Sequence, residues 1–93
     1  MKTTKDNPSI LQKNRECFYC GAVENLDRHE FLSGSNRRNA AYHGLWVYVC
    51  RLCHSKIQNN ATAMDSGRRM SQAVFEDLHG HDEYMKIFGR SYL

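Results

Sequence analysis

Two Cys-x-x-Cys pairs constrain this chain more than any other feature of its sequence. Cys17 and Cys20 form the first pair. Cys50 and Cys53 form the second pair, and His54 follows it directly. Two such pairs in one short chain are typical of a tetrahedral site in which four thiolates bind zinc. The pattern therefore predicts a structural Zn²⁺ ion, and no cysteine is left over for another role.

Disulfide bonds are the alternative use of four cysteines. The stretch from Met1 to Asn14 is polar and carries lysine, and it has no apolar run typical of a secretory signal. No other stretch is apolar for long enough to cross a membrane. We therefore expect a cytoplasmic protein, and in a reducing compartment paired cysteines bind zinc rather than form disulfides.

The length of the chain limits how much apolar core can form. Its 93 residues are enough for one small domain, in which a bound metal ion would add stability that the thin core lacks. We expect residues 1–15 to form an N-terminal tail and lead-in. Residues 16–93 would form the zinc domain together with a helical C-terminal cover.

The charge of the chain says little about its partners, because the formal net charge is only +3. The distribution of charge says more, since Arg37-Arg38 and Arg68-Arg69 concentrate positive charge in two places. Such pairs are typical of surfaces that bind nucleic acid, although solvated surface arginines give the same pattern.

Apolar periodicity predicts an α+β fold. Leu26 to Leu32 and Leu45 to Val49 have the pattern of strands, and the second of these is aromatic and β-branched throughout. Ser33 to Gly44, between them, is rich in Ser, Gly and Asn and is predicted to be a loop. A helix of about two turns should begin at Cys53 and end near Asn59.

A connector and two further helices are predicted in the C-terminal part. Ala61 to Gly67 would be the connector, and Arg68 to His79 would be a helix that ends at Gly80. A last short helix would be capped by Asp82 and would end at Gly89. The apolar face of the longer helix is predicted to comprise Met70, Ala73, Val74 and Leu78.

Polar residues in the middle of the first predicted strand indicate a site rather than plain core. His54 directly follows a zinc ligand, so it cannot easily join the same tetrahedron. Two strands and a helix held by one zinc ion would bring His29, Glu30 and His54 towards one groove. Imidazole and carboxylate groups suit a hydrolytic divalent metal ion, and nearby arginines would suit a phosphodiester substrate.

The two cysteine pairs, Arg28-His29-Glu30 and the histidine after the last cysteine together resemble the HNH endonucleases, which have a ββα-metal, treble-clef-like zinc fold. The likeness is to the small phage and prophage members of this family, and it runs from about Cys17 to Leu93. The stretches that carry it further are Leu26 to Glu30, Asn36-Arg37, Gly44 to Val47 and Phe88 to Leu93.

This resemblance implies single-metal hydrolysis of DNA with Mg²⁺, Mn²⁺ or a similar ion, in the cytoplasm of a bacterial host. His29 and His54 would hold the ion, and Glu30 would stand where the family has its general base. With the roles exchanged, Glu30 would bind the ion and His29 would be the base. The residues that would contact DNA are Arg28, Asn36, Arg37 and Arg38.

Three positions depart from the family pattern. Glu30 replaces the usual base histidine, Gln58 replaces a histidine one helical turn after His54, and Gly44-Leu45 lacks an asparagine. An alternative function is therefore a zinc-stapled module that binds DNA or docks a phage protein without chemistry. An accessory to DNA packaging, acting beside a terminase, would be one example.

Overall fold

The computed structural model describes residues 7–93 of the chain, which form an α+β fold. The part of the expected tail from Met1 to Asp6 lies outside the described residues. A short 3-10 turn, Gly34–Asn36, joins the first strand to the first helix. The elements are β1 (Leu26–His29), α1 (Arg37–Tyr42), β2 (Val47–Cys50), α2 (Arg51–Gln58), α3 (Ala61–His79) and α4 (His81–Phe88).

The two strands pair as an antiparallel sheet, with Leu26 opposite Cys50 and His29 opposite Val47. Both strands differ from their predicted bounds. β1 begins at Leu26 as predicted but ends three residues before Leu32, and β2 begins two residues after Leu45. β2 runs directly into α2, with Cys50 as the N-cap residue of the helix. The register therefore places the start of α2 beside the start of β1.

The prediction of a loop from Ser33 to Gly44 is wrong for its second half. The segment Arg-Arg-Asn-Ala-Ala-Tyr forms α1, on which Ala40 and Ala41 are buried. Its composition explains the error, since the Ser and Gly residues are concentrated before Asn36, whereas arginine and alanine favour a helix. Both sheet strands are thus connected through a short helix.

The prediction of a connector from Ala61 to Gly67 is also wrong, because α3 begins at Ala61. The side chain of Asn60 caps the helix by accepting a hydrogen bond from the Ala63 amide at 3.0 Å. Gly67 lies inside the helix for a steric reason, since a Cβ atom there would approach the ring of Phe31 to less than 3.0 Å. The glycine allows α3 to pack closely on that ring.

The buried face of α3 differs from the predicted apolar face. Leu78, which was expected to be buried, is 60% exposed. Two polar side chains take buried positions because they find partners: Ser71 donates to the Gly67 carbonyl, and Gln72 donates to Ser91 Oγ. The buried residues of α3 are Gly67, Ser71, Gln72 and Phe75.

Gly80 and Gly89 end α3 and α4 as predicted. The predicted cap of α4 is wrong, because Gly80 is the N-cap residue and Asp82 lies within the first turn of the helix.

Among residues 7–93, no helix has both the length and the apolar character needed to cross a membrane.

The core consists of two clusters of buried side chains. Met64 and Met70 of α3 pack on the cluster that contains Cys17 and Cys50, as expected for a C-terminal region that covers the cysteines. The aromatic residues of α3 and α4 instead build the other cluster. The cluster with the cysteines contains Cys17, Phe31, Val47, Val49, Cys50 and Ile57. The other cluster contains Leu32, Ala40, Leu45, Phe75, Tyr84 and Phe88.

The lead-in to the first cysteine lies along β2. Ser9 Oγ donates to the Trp46 carbonyl at 2.5 Å, and Gln12 Oε1 accepts from the Tyr48 amide at 2.8 Å. Gly44 has a φ of 76°, and a Cβ atom there would come within 3.0 Å of the Pro8 carbonyl oxygen. A glycine is therefore required where the lead-in crosses the chain before β2.

Candidate metal centres

The four cysteines converge on one point, as the sequence predicts. Their Sγ atoms all lie within 4.8 Å of one another, and all four are free thiols. Cys20 Sγ and Cys50 Sγ are 3.7 Å apart. A tetrahedral Zn²⁺ with Zn–S bonds of about 2.3 Å has sulfurs roughly 3.8 Å apart, so the cluster has suitable dimensions for zinc.

The backbone around the cysteines prepares them to bind a cation. The amides of Cys20 and Cys53 point at the sulfurs of Cys17 and Cys50, each at 3.5 Å. Burial acts to raise the pKa of Cys17, but hydrogen bonds from backbone amides, first that of Cys50, lower it to about 6. The pKa of Cys53 is raised to about 12, mainly by its hydrogen bond to the Cys50 sulfur. All four thiols can therefore be ionised together only if a positive charge between them stabilises the thiolates. A Zn²⁺ ion would supply this charge.

A separate cleft of about 330 Å³ opens between β1, the turn after it and α2. It brings together five of the residues predicted to form the site, whereas Asn36 and Arg38 are not among its lining residues. The register of the sheet explains this placement, because α2 begins opposite the start of β1. The lining residues are Arg28, His29, Glu30, Ser33, Arg37, His54, Gln58 and Met64.

The rings of His29 and His54 make an edge-to-face contact in this cleft, with centroids 5.1 Å apart and planes at 72°. His29 is only 7% exposed and packs on the edge of Phe31. Burial, together with the charges of His54 and Arg37, lowers the pKa of His29 to about 4, so its imidazole is neutral at neutral pH. Within residues 7–93, His29 Nε2 is the buried side-chain polar atom without a hydrogen-bond partner.

An unpaired buried nitrogen costs about 1–3 kcal/mol, and buried polar atoms in proteins are paired in most cases. The lone pair of a neutral imidazole is also the usual protein ligand for a transition-metal ion. The free nitrogen of His29, next to a second imidazole, therefore fits a site for a cation or a water molecule.

His54 has contacts at both ring nitrogens. Its Nδ1 atom lies 3.3 Å from Asp27 Oδ2, and its Nε2 atom lies 3.4 Å from the amide nitrogen of Gln58. Asp27 was not among the residues predicted to form the site. The alternation of side chains along a strand could have identified Asp27, because it places Asp27 on the same face of β1 as His29.

Glu30 lies at the edge of the cleft with its side chain 15% exposed and Oε1 3.8 Å from Arg37 Nε. Its carboxylate thus pairs with an arginine in this structure. Within residues 7–93, the four cysteines are the one group of three or more potential ligands whose ligand atoms converge. His29, Glu30 and His54 share a cleft without presenting three converging ligand atoms.

The residues predicted to bind DNA have different surroundings. The Arg28 guanidinium lies over the Trp46 ring, 4.0 Å from its centroid. Arg37 and Arg38 line a second cavity of about 680 Å³, which adjoins the cleft through Glu30 and Arg37. Asn36 donates a hydrogen bond of 3.0 Å to the Phe88 carbonyl, so its amide fastens the 3-10 turn to the end of α4.

No protein-family model matches the chain, and no curated protein or solved structure matches it. The likeness to HNH endonucleases therefore depends on the sequence motifs, and the assignment of a function depends on the chemistry of the two centres.

Proposed function

We propose that this protein is a metal-dependent DNA endonuclease that hydrolyses phosphodiester bonds by a single-metal mechanism of the HNH type, and that it is encoded by a phage or prophage. The observation that carries this proposal is the pair of adjacent imidazoles, with ring centroids 5.1 Å apart, in a cleft lined by two arginines. One of the two rings has a buried nitrogen with no partner.

His29 and His54 are the residues that would hold the catalytic ion. Bound there, Mg²⁺ or Mn²⁺ would supply positive charge that stabilises the oxygens of the reacting phosphate. His29 contributes a neutral ring, because burial keeps its pKa near 4. A zinc ion held by the four cysteines would help to fix the position of His54, since His54 is adjacent to Cys53 in the chain.

Glu30 is the proposed general base. It would take a proton from a water molecule whose oxygen bonds to phosphorus while the bond to the 3′ oxygen breaks; the 3′ oxygen would then take a proton from solvent. His29 Nε2 is buried and has no hydrogen-bond partner, which favours metal binding for His29 and leaves proton transfer to Glu30. Arg37 lies 3.8 Å from Glu30 and would contact the substrate phosphate once DNA displaces this pair.

A plasmid-nicking assay tests the proposal. Zinc-loaded protein should nick supercoiled DNA with Mn²⁺ or Mg²⁺, and cleavage should disappear with EDTA or in His54→Ala. His81→Ala is the matched control and should retain activity, because His81 lies outside the cleft and contacts Glu76. Cleavage that persists in His54→Ala would contradict the proposal.

Glu30→Gln separates the base from the ligands. Loss of a general base should lower the cleavage rate by about 10²–10⁴-fold and leave Mn²⁺ binding intact. If Glu30→Gln instead abolishes Mn²⁺ binding, the roles of Glu30 and His29 are exchanged.

A second candidate function is a zinc-stapled module that binds DNA or a phage packaging protein without cutting. Two contacts favour it: the Gln58 amide lies against His54 Nε2, and Glu30 pairs with Arg37. Such a module would shift DNA in a mobility assay, with no nicking under any metal condition.

A further inference from the structure

We propose that Asp27 is a positioning residue, which holds His54 in the tautomer protonated at Nδ1 and so directs the lone pair of Nε2 towards an ion in the cleft. The identity of that ion rests on the proposed function. The tautomer itself is a property of the protein with the cleft empty, and it is testable without any cleavage.

The fold brings the two side chains together from separate elements. Asp27 pairs with Val49 in the sheet. Val49 directly precedes Cys50, the N-cap residue of α2. His54 lies one turn into α2, so its ring reaches back over β1 to within 3.3 Å of Asp27 Oδ2. Both side chains are partly buried, at 35% exposure for Asp27 and 23% for His54.

The chemistry of the two neighbours selects one tautomer. A carboxylate accepts hydrogen bonds and has no proton to donate, so His54 Nδ1 must donate to Asp27. The nitrogen of the Gln58 side chain is a donor, and His54 Nε2, 3.4 Å away, accepts from it only when Nε2 carries no proton. The two contacts agree on a ring with its proton on Nδ1 and its lone pair on Nε2.

The other partner of Asp27 does not account for its position. Arg51 Nε lies 3.8 Å from Asp27 Oδ1, but the Arg51 side chain is 71% exposed. An ion pair this exposed contributes little to stability. The contact with His54 is shorter and less exposed, and carboxylates that fix a ligand histidine in this way typically improve metal affinity by 10–100-fold.

Nitrogen-15 NMR of the histidine rings tests the tautomer in protein loaded with one equivalent of zinc and no second metal. Wild-type protein should show His54 protonated at Nδ1, and Asp27→Leu should lose this signature. In a Mn²⁺ titration, Asp27→Leu should bind about 10–100-fold more weakly. Asp27→Asn keeps the side-chain shape and should weaken Mn²⁺ binding about 10-fold, so it serves as the test if the leucine variant fails to fold.

Arg51→Gln is the control, because it removes the ion pair and leaves the contact with His54. It should preserve both the tautomer and the Mn²⁺ affinity. The proposal is overturned if Asp27→Leu keeps the Nδ1 proton, or if Arg51→Gln weakens Mn²⁺ binding as much as the Asp27 variants do. A protein with the expected tautomer and affinities that never nicks DNA would contradict the nuclease assignment and support the role of Asp27.

Discussion

Substitution of Gly67 by alanine tests how α3 supports the cleft, because two physical effects predict opposite signs. In an exposed helix, Gly→Ala stabilises by about 1 kcal/mol. At Gly67, however, the new Cβ atom would lie less than 3.0 Å from three atoms of the Phe31 ring. That ring is fully buried and contacts His29, with centroids 4.6 Å apart, so it cannot move away freely.

Overpacking of a core costs about 1–3 kcal/mol, and so close an approach favours the upper end of this range. After about 1 kcal/mol is subtracted for helix propensity, we expect a net loss of about 2 kcal/mol. In a domain of this size, such a loss lowers the melting temperature by about 8–16 °C. Because the strain passes through Phe31 to His29, Mn²⁺ affinity should fall as well.

Thermal and urea unfolding of the zinc-loaded protein measure the effect. Ser66→Ala is the matched control, since Ser66 is an exposed neighbour on the same helix, and its melting temperature should stay the same or rise slightly. A Gly67→Ala variant that is more stable than the wild type would refute the close packing of α3 on Phe31.

Three further substitutions have distinct outcomes. Cys53→Ser should unfold the domain in circular dichroism, because zinc binding contributes on the order of 10 kcal/mol that the small core cannot replace; an unchanged melting temperature would contradict the four-thiolate site. Burial raises the pKa of Tyr84 to about 12, so folded protein keeps a proton that unfolded protein loses above about pH 10, and stability should fall between pH 10 and 12. Tyr84→Phe should lack this component in urea titrations. Asn36→Ala should lose about 0.5–1.5 kcal/mol in the same assay, because the Phe88 carbonyl loses its donor; no loss would mean that the contact is not stabilising.

Local chemistry made some features predictable from the sequence. The cysteine cluster follows from ligand spacing alone, and its convergence is confirmed. Gly80 and Gly89 mark the ends of two helices as their residue type predicts. The start of α2 was misplaced by two residues, because Cys50 rather than a later residue caps the helix.

Features that depend on tertiary contacts were not predictable in this way. The first part of α3 was missed because Gly67 signals a break in the sequence, whereas in the fold it makes room for Phe31. The buried face of α3 was misassigned because Gln72 is polar. Its buried amide donates to Glu76, one turn further along α3, and to Ser91 after α4, a partner that the periodicity of α3 cannot identify.

The candidate site lies between these cases. The motifs predicted that His29, Glu30 and His54 lie near one another, and these residues line one cleft at the end of β1 and on α2. The orientation of His54 was not predictable, since it depends on Asp27, which the packing of α2 against β1 brings close, and on Gln58 one turn further along α2. That His29 and His54 bind a catalytic ion stays a prediction.

Anomalous diffraction from a crystal of zinc-loaded protein soaked in Mn²⁺ is the most direct test of two separate ion sites. We predict a zinc peak among the four sulfurs and a manganese peak in the cleft, where Nε2 of His29 and Nε2 of His54 would bind the manganese ion. A zinc peak alone, with Gln58 still against His54 and no manganese between the two rings, would contradict this prediction.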